Sequence, residues 1–145
     1  MIRRILHPSD FSKASRPAFA KALELAKQNR AQLIVAYAMP SIVPVADGYM
    51  SPAVYEEIAV SNRRYGAKHL TALVTKAKRA GVRAKALLLD GPPAERIVRA
   101  ARGQRADLIV MGTHGHTGFT RLVLGSVAGR VVSHARCPVL TVRGR

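Results

Sequence analysis

There is no tryptophan in this chain, a single cysteine, and only eight acidic residues against 24 lysines and arginines. One cysteine, Cys137, excludes an intramolecular disulfide. Beside Pro138 and the apolar Val139–Leu140 it reads as a small buried hydrophobe; the alternative is a reactive or intermolecular thiol. No apolar run reaches the roughly 18–20 residues a membrane span needs. The start MIRRILHPSD offers only Ile5–Leu6 before His7–Pro8, too little for a signal peptide. The cytoplasm, away from any membrane, is therefore the expected location. Aromatics are few, three Phe and four Tyr, and are not interleaved with the basic residues as a base-stacking platform requires. The formal charge of +16 favours polyanions in general. Without that aromatic pattern it reads as a solvated basic surface, and specific nucleic-acid binding is not expected. No GxxxxGK[ST] phosphate loop is present, which removes that class of nucleotide enzyme.

What is present is enough apolar material, 48% of 145 residues, for the core of one domain, expected to span residues 1–145. Strand-like and helix-like segments alternate. Short apolar runs at Ile2–His7, Gln32–Ala38, Val82–Leu89, Leu108–Met111 and Val139–Val142 predict five strands. Helical spacing predicts helices over Ser12–Asn29, Ala53–Ala80, Ala94–Arg102 and Ser126–Ala135. Ser12 can cap the first. Val54, Ile58, Tyr65, Leu73 and Ala77 form the expected inner stripe of the second, which Gly81 ends. The continuous apolar runs suit strands covered on both faces. The βαβαβαβαβ order implies right-handed crossovers and an open parallel sheet with helices on both sides. Met39–Pro52, with three prolines, reads as a long loop. In such sheets ligands bind beyond the carboxyl ends of the strands, where the strand order reverses.

The strongest local signal is MGTHGHTGFTRLVLGS, Met111–Ser126, which leaves a buried strand and enters the last helix. Its glycines let a ligand approach the main chain. The unpaired amides and positive dipole end at Gly125–Ser126 favour a phosphate. The bland alternative is a glycine-rich turn with an ordinary cap. Arg121 could reach a terminal phosphate or point to solvent. His114 and His116 lack the further ligands a zinc site needs. His7, His69 and His134 belong to no visible constellation.

Gly112-x2-Gly115-x9-Gly125-Ser126 resembles the ATP-binding signature of the universal stress protein family. Ile5–Ser12 resembles that family's first strand and following loop, and Cys137–Val142 its last strand. The resemblance covers the whole chain. It implies an α/β fold: an open five-stranded parallel sheet of order 3-2-1-4-5 with helices on both faces, Rossmann-like and of the adenine nucleotide alpha-hydrolase type. It also implies the ATP-binding branch of the family. On that resemblance Asp10 contacts the nucleoside, its alternative role being a helix cap, and Pro8 and Ser9 line the same pocket. Ala38 offers its backbone to the adenine edge, though its residue type matches only weakly. Met111 and Gly112 lie near the ribose. Gly115, Gly125, Ser126 and Val127 hold the phosphates, with Mg2+ bridging phosphate oxygens and no protein metal site. The implied function is a nucleotide-dependent stress-response regulator. A slow ATPase is the alternative, and a nucleic-acid or flavin-binding protein a more distant one. Catalytic residues are not assigned, because phosphoryl transfer needs a base and charge neutralisation and only Asp10 falls near the site. Related pyrophosphatases carry an SGGxDS-type loop where this chain has Pro8-Ser9-Asp10-Phe11-Ser12. The terminal strand is expected at a sheet edge as the seam of a homodimer, flanked by Arg143-Gly144-Arg145.

Overall fold

The computed structural model describes residues 1–42, 48, 50–114 and 124–144. Five strands form one parallel sheet in the order β3-β2-β1-β4-β5: β1 (Arg4–Pro8), β2 (Gln32–Met39), β3 (Ala84–Asp90), β4 (Leu108–Gly112) and β5 (Val139–Val142). The crossovers are α1 (Arg16–Asn29), α2 (Pro52–Arg79), α3 (Pro93–Gly103) and α4 (Ser126–His134). The central strands β1, β2 and β4 are buried along almost their whole length, as their unbroken apolar runs require.

Alternation along the strands divides the core in two. Ile5, Leu33, Val35, Tyr37 and Val110 face α1 and α2, meeting Phe19, Ala22, Leu70 and Ala77. Leu6, Ile34, Ala36, Ile109 and Met111 face α3 and α4, meeting Ile97, Ala101, Ala128 and Val131. Asp107 fixes the start of β1 beside β4: its Oδ2 accepts the backbone N–H groups of Arg3 and Arg4 at 2.8 and 2.9 Å. Those two donors hold its carboxyl below the usual range.

Cys137 is half-buried rather than buried, and two expectations about the helices change. The first helix does not start at Ser12. Ser12 caps a 3-10 turn, Lys13–Ser15, by accepting from the Ser15 amide, and α1 proper begins at Arg16. The inner stripe of α2 is also displaced. Val54 and Tyr65 are 44% and 45% exposed, and the buried positions are Gly66, Leu70 and Ala77. The first half of this long helix overhangs the sheet, so its apolar residues mark no core face. Gly66 stands where α2 first closes on the sheet. A Cβ there would lie 2.8 Å from both Leu88 Cδ1 and Tyr37 Cδ2.

Replacing Gly66 with Val should therefore destabilise the fold by about 1–3 kcal/mol, measured by urea denaturation. An unchanged midpoint would mean that α2 is not held this close to β2 and β3.

Candidate functional site

Proline at the end of β1 opens the sheet. The β1–β4 ladder runs Ile5–Leu108 and Leu6–Ile109 and then stops. Ser9 sends its N–H the other way, to the Ala36 carbonyl at 2.9 Å, so the nitrogen of Pro8 is the one aimed at β4. It carries no hydrogen to donate. The carbonyl of Val110 is taken instead by Nδ1 of His7, 2.8 Å away. The tautomer follows: Nδ1 carries the proton and donates. Nε2 is left bare and buried without a hydrogen-bond partner. The ring is fully buried against Phe19. Desolvation drives its pKa down to about 4, against the smaller opposing effects of the Val110 carbonyl and Asp10.

The neighbouring strands run on past this point. β1 pairs with β2 only as far as Pro8–Ala36, whereas β2 continues to Met39 beside β3. The alternation that points Ala36's carbonyl at Ser9 points the amide and carbonyl of Ala38 to the same side, where β1 has turned away. β4 likewise continues to Gly112 beside β5. A crevice with two backbone walls opens at the switch point, where a ligand is expected in this topology.

The loop after β1 is tied down by its own side chains. Phe11 adopts φ 64°, and its amide donates to Ser9 Oγ at 3.1 Å. Asp10 Oδ1 accepts from the Ser12 amide at 2.9 Å and from Ser12 Oγ at 2.6 Å. Ser12 Oγ in turn accepts from the Ser15 amide. Asp10 thus braces the turn that leads into α1, with its carboxyl half-buried at the crevice. Pro8 and Ser9 are buried in the crevice floor.

On the other side, Gly112 lies against the same loop: a Cβ on it would stand 3.7 Å from the Ala14 carbonyl. Met111 is buried in the α3/α4 core, so only its backbone borders the crevice. Gly125 folds back on β4, donating its N–H to the Thr113 carbonyl at 2.7 Å. A Cβ at Gly125 would lie 2.8 Å from that oxygen. This glycine is needed for space, and its amide is already engaged. The donors left at the start of α4 are the amides of Ser126, Val127 and Ala128. No side chain caps this helix, and the first turn of any helix has no internal acceptor for them. Ser126 is exposed and Val127 half-buried. Gly115, with His116 and Arg121, lies outside the described residues. Among the described residues, no three His, Cys, Asp or Glu side chains gather as a metal site would require.

One group of neighbours is not visible in the linear pattern. Phe11 stacks on His69 at 5.0 Å and lies 4.6 Å from Tyr37, and Tyr65 completes the cluster 4.3 Å from His69. Its traces in the sequence are the adjacency of Tyr37 to Ala38 and the i, i+4 spacing of Tyr65 and His69 on α2. The Tyr37 hydroxyl is pushed up by burial, then by Tyr65 and by Asp10, which places this cluster beside the carboxylate. Beyond it, Met39, Pro40, Tyr55, Asn62 and Asp90 line a cleft of about 250 Å³. That cleft includes none of the expected site residues.

Residues 1–143 match the family model described as the universal stress protein family. A universal stress protein of Thermus aquaticus is 41% identical over 143 residues, 99% of this chain and 100% of that one. The solved structure of the universal stress protein UspA from Lactobacillus plantarum is similar with a TM-score of 0.80 and 27% identity, covering 98% of both chains. A universal stress protein solved in complex with cAMP is similar with a TM-score of 0.67 and 25% identity, covering 99% of this chain and 98% of that one.

The buried neutral His7 makes the fold sensitive to acid. The unfolded chain takes up a proton below about pH 6.5, while the folded chain resists until about pH 4. Stability should therefore fall as the pH drops through this window, by up to about 1.4 kcal/mol per pH unit. Asp107 adds its own loss only below its ordinary value of 3.8. Urea denaturation at several pH values checks this, and a flat profile between pH 4 and 6.5 would contradict the assignment.

Proposed function

The chain belongs to the universal stress protein family, and from that premise we propose that it is an ATP-binding regulatory module. The observation that carries this reading is the uncapped start of α4 standing across the crevice from the β1 loop. Three amides and a positive helix end favour an anion. The backbone of Ala38, exposed where β1 has ended, suits the edge of a planar base. Asp10 lies between, where a carboxylate can accept from ribose hydroxyls or an adenine amine. The cAMP complex of a relative supports an adenine nucleotide as the ligand class.

On this reading Pro8, Ser9 and Asp10 line the nucleoside end, and Met111 and Gly112 border the ribose with their backbones. Ser126 and Val127 receive the phosphates, joined by Gly115. Gly125 acts by letting the helix start close on β4. Mg2+ would neutralise charge on the polyphosphate, held through phosphate oxygens and water. The chain's own part is to bind and orient. Asp10 belongs to the nucleoside end, and no other described acid neighbours the start of α4, which supports a switch rather than an efficient ATPase. The protein is proposed to work in the cytoplasm as a homodimer. Its seam is β5, an edge strand whose outer side is unpaired. Leu140 and Val132 are 38% and 46% exposed.

Calorimetry with Mg-ATP at low ionic strength should detect binding. Asp10→Asn keeps an oxygen that can accept from Ser12 and removes the charge, so affinity should fall about three- to tenfold while the chain still melts cooperatively as a folded domain. Gly125→Ala drives a Cβ into the Thr113 carbonyl and should cost tenfold or more, about 1.4 kcal/mol per tenfold. No uptake by the intact wild-type fold would refute the reading. For the seam, Leu140→Lys should convert a dimer to a monomer in analytical ultracentrifugation; a wild-type monomer would refute it.

A further inference from the structure

A parallel sheet gathers every strand start and every crossover-helix end at one pole, opposite the crevice. In this chain that pole carries Arg3 and Arg4 before and within β1, and Lys27 and Arg30 at the end of α1. It also carries Lys78 and Arg79 in the last turn of α2, Arg83 just before β3, Arg102 in the last turn of α3, Arg105 after it, and Arg136 after α4. All ten are exposed. The acids are distributed the other way. Asp10, Glu56, Glu57, Asp90 and Glu95 stand at the crevice end, in the β1 loop, at the starts of α2 and α3, or at the end of β3. Asp47 lies outside the described residues.

Part of this segregation is ordinary, because cations complement helix C-termini. The magnitude is not. Four helix ends present roughly two negative charges in all, and the Asp107 carboxylate, which accepts the Arg3 and Arg4 amides and feels the Arg4 charge, adds one more. Lys21 and Glu24 form an ion pair on the surface of α1. None of the ten takes part in it. The excess is several unpaired positive charges on one face.

We propose that this pole is a sequence-independent docking surface for the phosphate backbone of duplex nucleic acid. Eight of the ten cations are arginine, whose planar fork fits phosphate oxygens. Five strands span about 19 Å, a length over which a duplex carries about 11 phosphate charges. No described aromatic side chain stands at this pole, so unstacked bases of a single strand find no platform. The exposed apolar Val54, Tyr55, Val60 and Tyr65 lie on the first half of α2, away from it. Met1, 99% exposed, is the large apolar side chain at this pole, a single residue among ten cations and too little for a lipid bilayer to take up as an apolar wedge.

The test is fluorescence anisotropy of the full chain with a labelled mixed-sequence duplex of about 30 base pairs, over 50–200 mM salt. Binding should weaken with a log–log salt slope of about −4 or steeper. The quadruple variant Arg3→Gln, Arg79→Gln, Arg102→Gln, Arg136→Gln should lose tenfold or more at 50 mM. Its slope should become shallower by about 1 for each phosphate that is no longer neutralised. The charge-matched control Arg64→Gln, Lys68→Gln, Arg99→Gln, Arg130→Gln should lose less than threefold. If the quadruple variant melts early, the pairs Arg3/Arg79 and Arg102/Arg136 replace it, each expected to lose threefold or more. Equal losses in the pole and control sets would overturn the surface. So would no duplex binding at 50 mM, a stronger affinity for single strands, or capture by phosphatidylserine vesicles without duplex binding.

Discussion

A missing hydrogen organises this molecule. Pro8 ends the central strand with a nitrogen that cannot continue the β1–β4 ladder, and the Val110 carbonyl that would have accepted from it is claimed by a buried histidine. Burying an unpaired carbonyl costs on the order of 1–3 kcal/mol. His7 therefore closes a gap that the proline creates, at the expense of its own second nitrogen. Because β1 stops while β2 and β4 continue, the crevice exists before any ligand arrives. Its walls are backbone, so its geometry depends on strand register more than on side-chain identity. A residue as plain as Ala38 can therefore serve in the proposed site, because its backbone is what faces the crevice.

The second constraint is the short distance between the end of β4 and the start of α4. Thr113 and Gly125 share a hydrogen bond that only a residue without Cβ permits at this spacing. It turns the helix start back toward the strand from which the loop departed. One glycine therefore aims three donors that it does not itself supply. The β1 loop answers from the other side, braced by Asp10, Ser12 and Ser15. Asp10 is both a brace and a charged group at the crevice, so a neutral amide at this position separates the two roles more cleanly than truncation.

Much of this was legible in the sequence. Alternating apolar runs and helical spacing sufficed for the five strands, four helices and their parallel arrangement, because strands buried on both faces leave an unambiguous pattern. The strand order came through the family resemblance, since periodicity does not order strands. The inner face of α2 was not legible: Val54 and Tyr65 share a face with each other, but at about 100° per residue that face is turned well away from Gly66, Leu70 and Ala77, which meet the sheet. The aromatic cluster was hidden for a related reason, as Phe11, Tyr37 and His69 come from three elements brought together only by topology. Gly125 was expected as a phosphate donor. Its role as a spacer depends on a through-space approach to Thr113 that no linear motif records.

The fold thus separates two electrostatic poles, an amide-lined crevice at the strand ends and an arginine-rich surface at the strand starts. In the function proposed, amides of the first turn of α4 receive the polyphosphate while the backbone of Ala38 meets the base. Amide proton–nitrogen NMR spectra during parallel titrations with Mg-ATP and with adenosine separate these two contacts. Both ligands should shift Ala38, and only Mg-ATP should shift Ser126, Val127 and Ala128. Saturation with Mg-ATP that leaves those three amides in place would contradict the proposed function.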